Sequence, residues 1–256
     1  MRKISQQIES RLVAGVQKFQ PILRKASLSN KNESDTVTII ADILCEVFGY
    51  DKYENITSEL AIKRTFCDLA VKLDGQVKLL IECKAVSVDL REEHVLQATN
   101  YAANAGIDWV VLTNGIDWRV YRVVFSKPVD RFLVHEFDFC DLNINRPADL
   151  EALYRLCIES FSGQNNSSLD VLYVRRKVLN KYVVGQLILN DWMVKSIRGS
   201  LQRHFPSVSI TDDELRRIIR DEVFRPEISE GSLAEDASRA VATADARMKA
   251  ERAAKK

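Results

Sequence analysis

The chain has 256 residues, 46% of them hydrophobic and 29% charged, with a formal net charge of +1. That length suits one substantial domain plus a small second one, and the composition is that of a soluble globular protein, not of a disordered or fibrous one. A charge so near zero excludes nucleic-acid binding through a global field and leaves only local basic patches for it.

Ile4, Ile8, Leu12, Val16, Phe19 and Leu23 recur at three- and four-residue steps, which predicts an amphipathic helix over residues 2–26, set apart as an N-terminal segment 1–26. Its other face carries Arg2, Lys3, Arg11, Lys18, Arg24 and Lys25 against the single acid Glu9. That face reads either as solvated or as a phosphate-contacting arm. Ser27 to Asn32 is a polar break. A second helix follows from Glu33 to Phe48, burying Ile39, Ile40, Ile43, Leu44 and Val47 and stopping at Gly49. Glu33 opens this helix, where the helix dipole favours a carboxylate whatever else it does.

Ile56 to Ile62 reads as a first strand. Phe66–Leu73 and Gln76–Lys84 read as two more, joined by Asp74-Gly75, a dipeptide that favours a tight hairpin because both central positions need positive φ. Val88 to Ala105 is expected to be helical and to end at Gly106. Trp109–Thr113, Asp117–Val124 and Phe132–Phe137 read as strands, with Asn114-Gly115 turning between the first two. Trp109 and Trp118 fit core or sheet-face aromatics better than base-stacking platforms. Leu150 to Phe161 reads as a short helix, and Ser162 to Ser168 as a linker.

A second, helical unit is expected over 169–226. Its apolar set runs from Val171 to Phe205, Pro206 ends one helix, and Thr211-Asp212-Asp213-Glu214 has the form of a capping box. This unit also carries many basic residues, including Arg175, Arg176, Lys177, Lys195, Arg198 and Arg203. It reads as a DNA-facing platform, an oligomerisation element, or a plain charged helical surface. Residues 227–256 are alanine and charge with few large apolar side chains, which predicts a disordered tail or a helix stabilised only by a partner.

Five cysteines, odd in number and lacking C-x-x-C spacing, suit free thiols in a reducing cytoplasm, not disulfides or a zinc site. No apolar run approaches the roughly 20 residues of a membrane span, and the N-terminus lacks the apolar core of a signal peptide, so a cytoplasmic protein without membrane partners is expected. His94 and His135 stand alone without ligand spacing and receive no catalytic role.

The chemistry gathers in the hairpin. Strand side chains alternate faces, so Glu82 and Lys84 point one way while Ile81 and Cys83 point the other. Asp68 shares a face with Ala70, opposite Cys67, Leu69 and Val71, and antiparallel pairing brings it beside Glu82 and Lys84. Two carboxylates and an ammonium at the end of an apolar strand suffer repulsion and desolvation unless something uses them. A divalent cation would remove the repulsion, although a plain surface ion pair produces the same spacing.

Asp68, then Glu82-Cys83-Lys84 across a hairpin, then Gln97-Ala98-Thr99-Asn100-Tyr101 on the following helix, together resemble the core of the PD-(D/E)xK nuclease superfamily. More narrowly they resemble the N-terminal nuclease domain of type I restriction enzyme R subunits. Cys67 stands where the superfamily motif has proline, and the 256 residues contain no Gly-x-x-x-x-Gly-Lys-Ser/Thr loop, so no helicase motor is expected among them.

The resemblance implies a restriction-endonuclease-like α/β domain over 27–162, a mixed sheet flanked by helices, followed by the small helical domain. It implies Mg²⁺-dependent hydrolysis of DNA, with Mn²⁺ as substitute, in prokaryotic restriction and antiviral defence. Asp68 and Glu82 would ligate the metal and Lys84 would assist catalysis. Glu33, with Glu46 as fallback, would complete the metal shell, and Gln97 and Tyr101 would support the phosphate. The implied partners are DNA, further copies through the helical domain, and a separate motor or defence subunit. The rival reading keeps the same fold as a non-catalytic DNA-binding or partner-binding module.

Overall fold

Asp74 and Gly75 take φ of 52° and 73°, the pair of positive values that a type I′ turn requires, and the sheet grows outward from this hairpin. A computed structural model describes residues 4–62, 65–161 and 167–254. The chain runs through α1 (Gln6–Leu28), α2 (Glu33–Glu46), β1 (Ile56–Ile62), β2 (Thr65–Leu73), β3 (Gln76–Cys83), α3 (Glu92–Ala105), β4 (Trp109–Thr113), β5 (Asp117–Val124), β6 (Asp130–Asp138), α4 (Pro147–Tyr154), α5 (Ile158–Phe161) and α6 (Ser168–Val178). The expected order of helix, three strands, helix and strand is present as α2, β1–β3, α3 and β4. The strands form one mixed sheet in sequence order. Every neighbouring pair is antiparallel except β3 and β4, which run parallel because α3 carries the chain across one face.

Side-chain alternation sorts the core into layers. Leu69, Val71, Leu79, Ile81, Val111, Trp118 and Val120 face α1 and α2, which contribute Leu12, Val16, Phe19, Ile40 and Phe48. Ala70, Leu80 and Val110 face α3 through Ala98 and Ala102. Trp118 sits edge-on to Phe48 and stacked on Phe137, and is a core aromatic as expected. Gly115 turns the chain at φ 88°, where an added Cβ would lie 2.8 Å from Leu23 Cδ2, so this turn admits little but glycine.

The chain divides into two compact units, 1–173 and 174–256. Three expectations change. The segment 1–26 is no separate element, because α1 buries Leu12, Val16, Phe19 and Leu23 in the first unit's core. The basic face of α1 is partly neutralised: Arg11 pairs with Glu159, and Lys18 with Glu46. The boundary falls after Tyr173 instead of at 162–169. Leu169, Leu172 and Tyr173 pack in the first core, and Arg122 binds Asp170 at 2.8 Å and Asp108 at 3.0 Å. Residues 162–166 of the expected linker lie outside the described residues.

The second unit contains α7 (Lys181–Ile188), α8 (Asp191–His204), α9 (Asp212–Ile218), a π-helical turn (Ile219–Val223), α10 (Pro226–Ser229) and α11 (Ser232–Ala254). Val194, Leu215 and Ile219 form its small core, with Ile188, Ile197, Leu201 and Phe224 around them. Thr211 caps α9 by accepting from Glu214 N. The expected tail 227–256 is helical over most of its described length. Its small side chains Ala234 and Ala237 are buried, and α11 packs along α7. Alanine lets the helices approach closely, a packing that large-apolar patterning does not reveal.

Phe48 is fully buried against Trp118 and holds the α2 end on the sheet. Replacing Phe48 with Ala is expected to cost about 3–5 kcal/mol in chemical denaturation, the penalty of a buried aromatic cavity.

Candidate active site

β2 and β3 are registered through Leu69 opposite Ile81, and the pairing stops there. One residue further, Asp68 Oδ2 accepts a hydrogen bond from Cys83 N at 2.7 Å. The Asp68 carboxylate thus occupies the place where a ladder carbonyl would have been. Cys67 bends with the strand: its Sγ bonds the carbonyls of Leu69 and Ile81, and it packs with Ala70 and Leu80. The expected grouping of Cys67 with Leu69 and Val71 fails because strict alternation breaks where the strands part.

Beyond the parting, β3 continues beside β4. Glu82 pairs with Leu112 and Cys83 with Thr113, and Lys84 N donates to Thr113 O at 2.9 Å. Glu82 is therefore an interior-strand carboxylate, its side chain only 4% exposed. Its Oε1 accepts from Lys84 Nζ at 2.7 Å, while Oε2 is buried with no hydrogen-bond partner among the described residues. The Lys84 side chain is 16% exposed, and its Nζ also lies 3.7 Å from Glu33 Oε2. Glu33, at the first turn of α2, is 51% exposed. The sequence expectation thus gathers Asp68, Glu82, Lys84 and Glu33 in one place, and the backup Glu46 is engaged elsewhere with Lys18.

Burial pushes the Asp68 carboxyl above its ordinary value, against the lowering effect of the Cys83 N–H and Lys84. Burial also raises Glu82, more than the Lys84 bond lowers it, and the Asp68 charge adds to the rise. For Lys84, burial opposes the charged form, but the bond to Glu82 and the three surrounding carboxylates outweigh it and raise the ammonium's pKa. The group is short of positive charge: one ammonium faces three acids.

Gln97 and Tyr101 are brought to each other, Gln97 Nε2 donating to Tyr101 Oη at 2.8 Å on the exposed side of α3. Among the described residues no hydrogen bond or ion pair joins them to Asp68, Glu82 or Lys84. α3 itself begins at Glu92, not Val88, because residues 86–90 form a loop held from three sides. Val86 N donates to Thr36 Oγ1, Asn114 Nδ2 to Val88 O, and Arg119 Nη1 to Leu90 O. Sequence reasoning missed these supports of the segment after Lys84. Thr36 carried a signal, being a polar residue in phase with Ile40, Ile43 and Val47 on the buried stripe of α2.

His135 Nε2 lies 3.0 Å from Ala152 O, and His94 Nδ1 accepts from Arg91 N, so both have structural partners. Among the described residues no three His, Cys, Asp or Glu side chains converge into a metal-binding group. Asp68 and Glu82 are near enough for the charge of one to act on the other, and Glu82 carries an orphaned buried oxygen. That donor set fits a hard cation that completes its shell with water and phosphate oxygens. It lacks the His and Cys ligands on which zinc sites are built.

No helix among the described residues is long and apolar enough to cross a membrane. No curated protein and no solved structure matches the chain. Residues 36–137, which run from α2 into β6 and contain Asp68, Glu82, Lys84, Gln97 and Tyr101 but not Glu33, match the family model of the Type I restriction enzyme R protein N terminus, a family that suggests restriction-related nuclease function.

Proposed function

We propose that the first unit is a divalent-cation-dependent DNA endonuclease acting in prokaryotic restriction of foreign, including viral, DNA. The observation that carries this reading is the unpartnered buried Oε2 of Glu82, held beside Asp68 and Lys84 where β2 and β3 part. A buried carboxylate oxygen without a hydrogen-bond partner costs about 1–3 kcal/mol, which a bound cation would offset.

Asp68 and Glu82 would hold Mg²⁺, or Mn²⁺ in its place, with Glu33 as an outer acid tethered through Lys84. The cation would supply charge neutralisation and Lewis-acid polarisation of a phosphate oxygen. Lys84 places a protonated ammonium against the charge that develops on the phosphate and orients the attacking water. Gln97 and Tyr101 offer an amide and a phenol on the adjoining helix as phosphate supports. Type I R subunits act on DNA with other subunits, so a separate motor or defence subunit in the cytoplasm is the matching partner class.

Purified protein is expected to cleave plasmid DNA with Mg²⁺ or Mn²⁺ and to be silent in excess EDTA. Lys84→Ala should lose on the order of 10²–10³-fold in rate, the usual effect of removing one group that stabilises transition-state charge, while keeping its circular dichroism spectrum and DNA affinity. Cleavage that persists in EDTA would overturn the metal role. Unimpaired DNA binding with no cleavage under any divalent cation would favour the same fold as a binding module.

The pH dependence of the metal-free protein follows from the raised carboxyls. The folded pKa values of Asp68 and Glu82 lie above their unfolded ones, so in the window between them the folded state binds more protons. Their contribution to stability should therefore improve as pH falls from neutrality towards the ordinary carboxylate range. Replacing both with their amides should flatten that part of a Tm-versus-pH curve.

A further inference from the structure

The two units carry opposite charge. Residues 1–173 hold 20 Lys and Arg against 24 Asp and Glu, a formal −4, whereas residues 174–256 hold 17 against 12, a formal +5. A near-neutral chain is thus built from an acidic unit bearing the carboxylate site and a basic helical unit. Polyanion attraction therefore has its source in the second unit.

Within that unit α8 has the chemistry to use it. Val194, Ile197 and Leu201 turn one side of the helix into the small core. At 100° per residue the opposite side is formed by Trp192, Ser196, Gly199 and Arg203, with Lys195 at its edge, a face about 16 Å long from Trp192 to Arg203. Trp192 is 60% exposed, whereas the other two tryptophans, Trp109 and Trp118, are 4% and 1% exposed. Lys195 and Arg203 are exposed and have no carboxylate partner among the described residues. By contrast Arg198 is bound to Asp212, and Arg216 to Asp191 and Asp213. A Cβ added to Gly199 would meet nothing within 4 Å, so the middle of the face is open.

We infer that this face of α8 binds single-stranded nucleic acid, with an unpaired base on the Trp192 indole and phosphates at Lys195 and Arg203. An exposed indole gains from stacking only where a base shows its π-face, which a closed duplex does not offer. The unpaired cations supply the sequence-independent grip on the backbone. A protein partner would need apolar surface along the face, and here Ser196, Gly199 and two cations flank the single aromatic.

This inference extends the nuclease reading by naming how its substrate is held, and it can be tested apart from it. The full chain is titrated in EDTA with labelled oligothymidylate and with a mixed-sequence duplex. Oligothymidylate should quench the emission of the exposed indole and bind more tightly than the duplex. Trp192→Ala should weaken the single strand about tenfold or more, and Trp192→Phe should retain most of the affinity. Lys195→Ala with Arg203→Ala should flatten the salt dependence by about 1.4 units of log–log slope, two single-strand phosphate contacts. Unchanged affinity and slope in these variants would overturn the inference, as would a fall in sedimentation mass of Trp192→Ala, which would make the face a contact between copies. Metal-dependent cleavage by wild type with binding unaltered in the α8 variants would leave the nuclease reading standing alone. The reverse pattern, altered binding without any cleavage, would leave the α8 face standing alone.

Discussion

A carboxylate on an interior strand is the constraint around which the first unit is arranged. β3 lies between β2 and β4, and every side chain from Leu79 to Cys83 is buried. Glu82 therefore loses its water while its neighbours in the strand are apolar. Lys84 compensates one oxygen only. Desolvation in such a place exceeds what one hydrogen-bonded ammonium returns, which is why the Glu82 carboxyl rises although it holds a salt bridge. A sheet selected only for stability would carry an aliphatic residue here. The cost is confined to the one end of β3 where β2 has parted from it.

The surrounding architecture keeps that end from relaxing. Asp68 spends one oxygen on Cys83 N, so the parted strands remain tied and the second oxygen is left for other work. The parallel pairing with β4 fixes Glu82 and Cys83 against Leu112 and Thr113. Thr36 and Asn114 then hold the loop that leaves Lys84, one from α2 and one from the β4–β5 turn. The helix bearing Thr36 is itself anchored by Ile40, Ile43 and Phe48 in the core shared with α1. Preorganisation of this kind puts functional groups on rigid elements and leaves little for them to do but stay apart.

Much of this was legible in the residues. Asp74-Gly75 announces its turn because few dipeptides tolerate two positive φ angles, and both are observed. Glu82 and Lys84 do meet on one side, since alternation holds along β3. It fails for Cys67, because the parting of β2 from β3 depends on a side chain capping a backbone N–H, which no periodicity encodes. The helical pattern runs on into the loop before α3 for a related reason: the loop's conformation is set by Thr36, Asn114 and Arg119 from distant parts of the chain. The α11 segment was hidden because Ala234 and Ala237 bury little area and pack by closeness, not by size. Glu33 beside Lys84 was legible only through the family pattern, as an acid at a helix start has its own local reason to be there.

Charge is distributed unequally between the two units, a formal −4 in the first and +5 in the second. A site of three acids and one lysine in a unit of net −4 repels a phosphate backbone before any contact forms. A divalent cation would cancel that repulsion locally, but at physiological salt its influence would fade over about 8 Å. Holding a polyanion near such a site therefore requires positive charge on surface that is not itself committed to acids. In the first unit three arginines are committed to acids: Arg11 to Glu159, Arg122 to Asp108 and Asp170, and Arg155 to Glu151. In the second unit Lys195 and Arg203 remain uncommitted on a helix whose apolar side is already satisfied by its own core. Keeping the acidic cluster and the uncommitted cations on separate units lets each hold its charge without neutralising the other, which a single mixed surface would not permit.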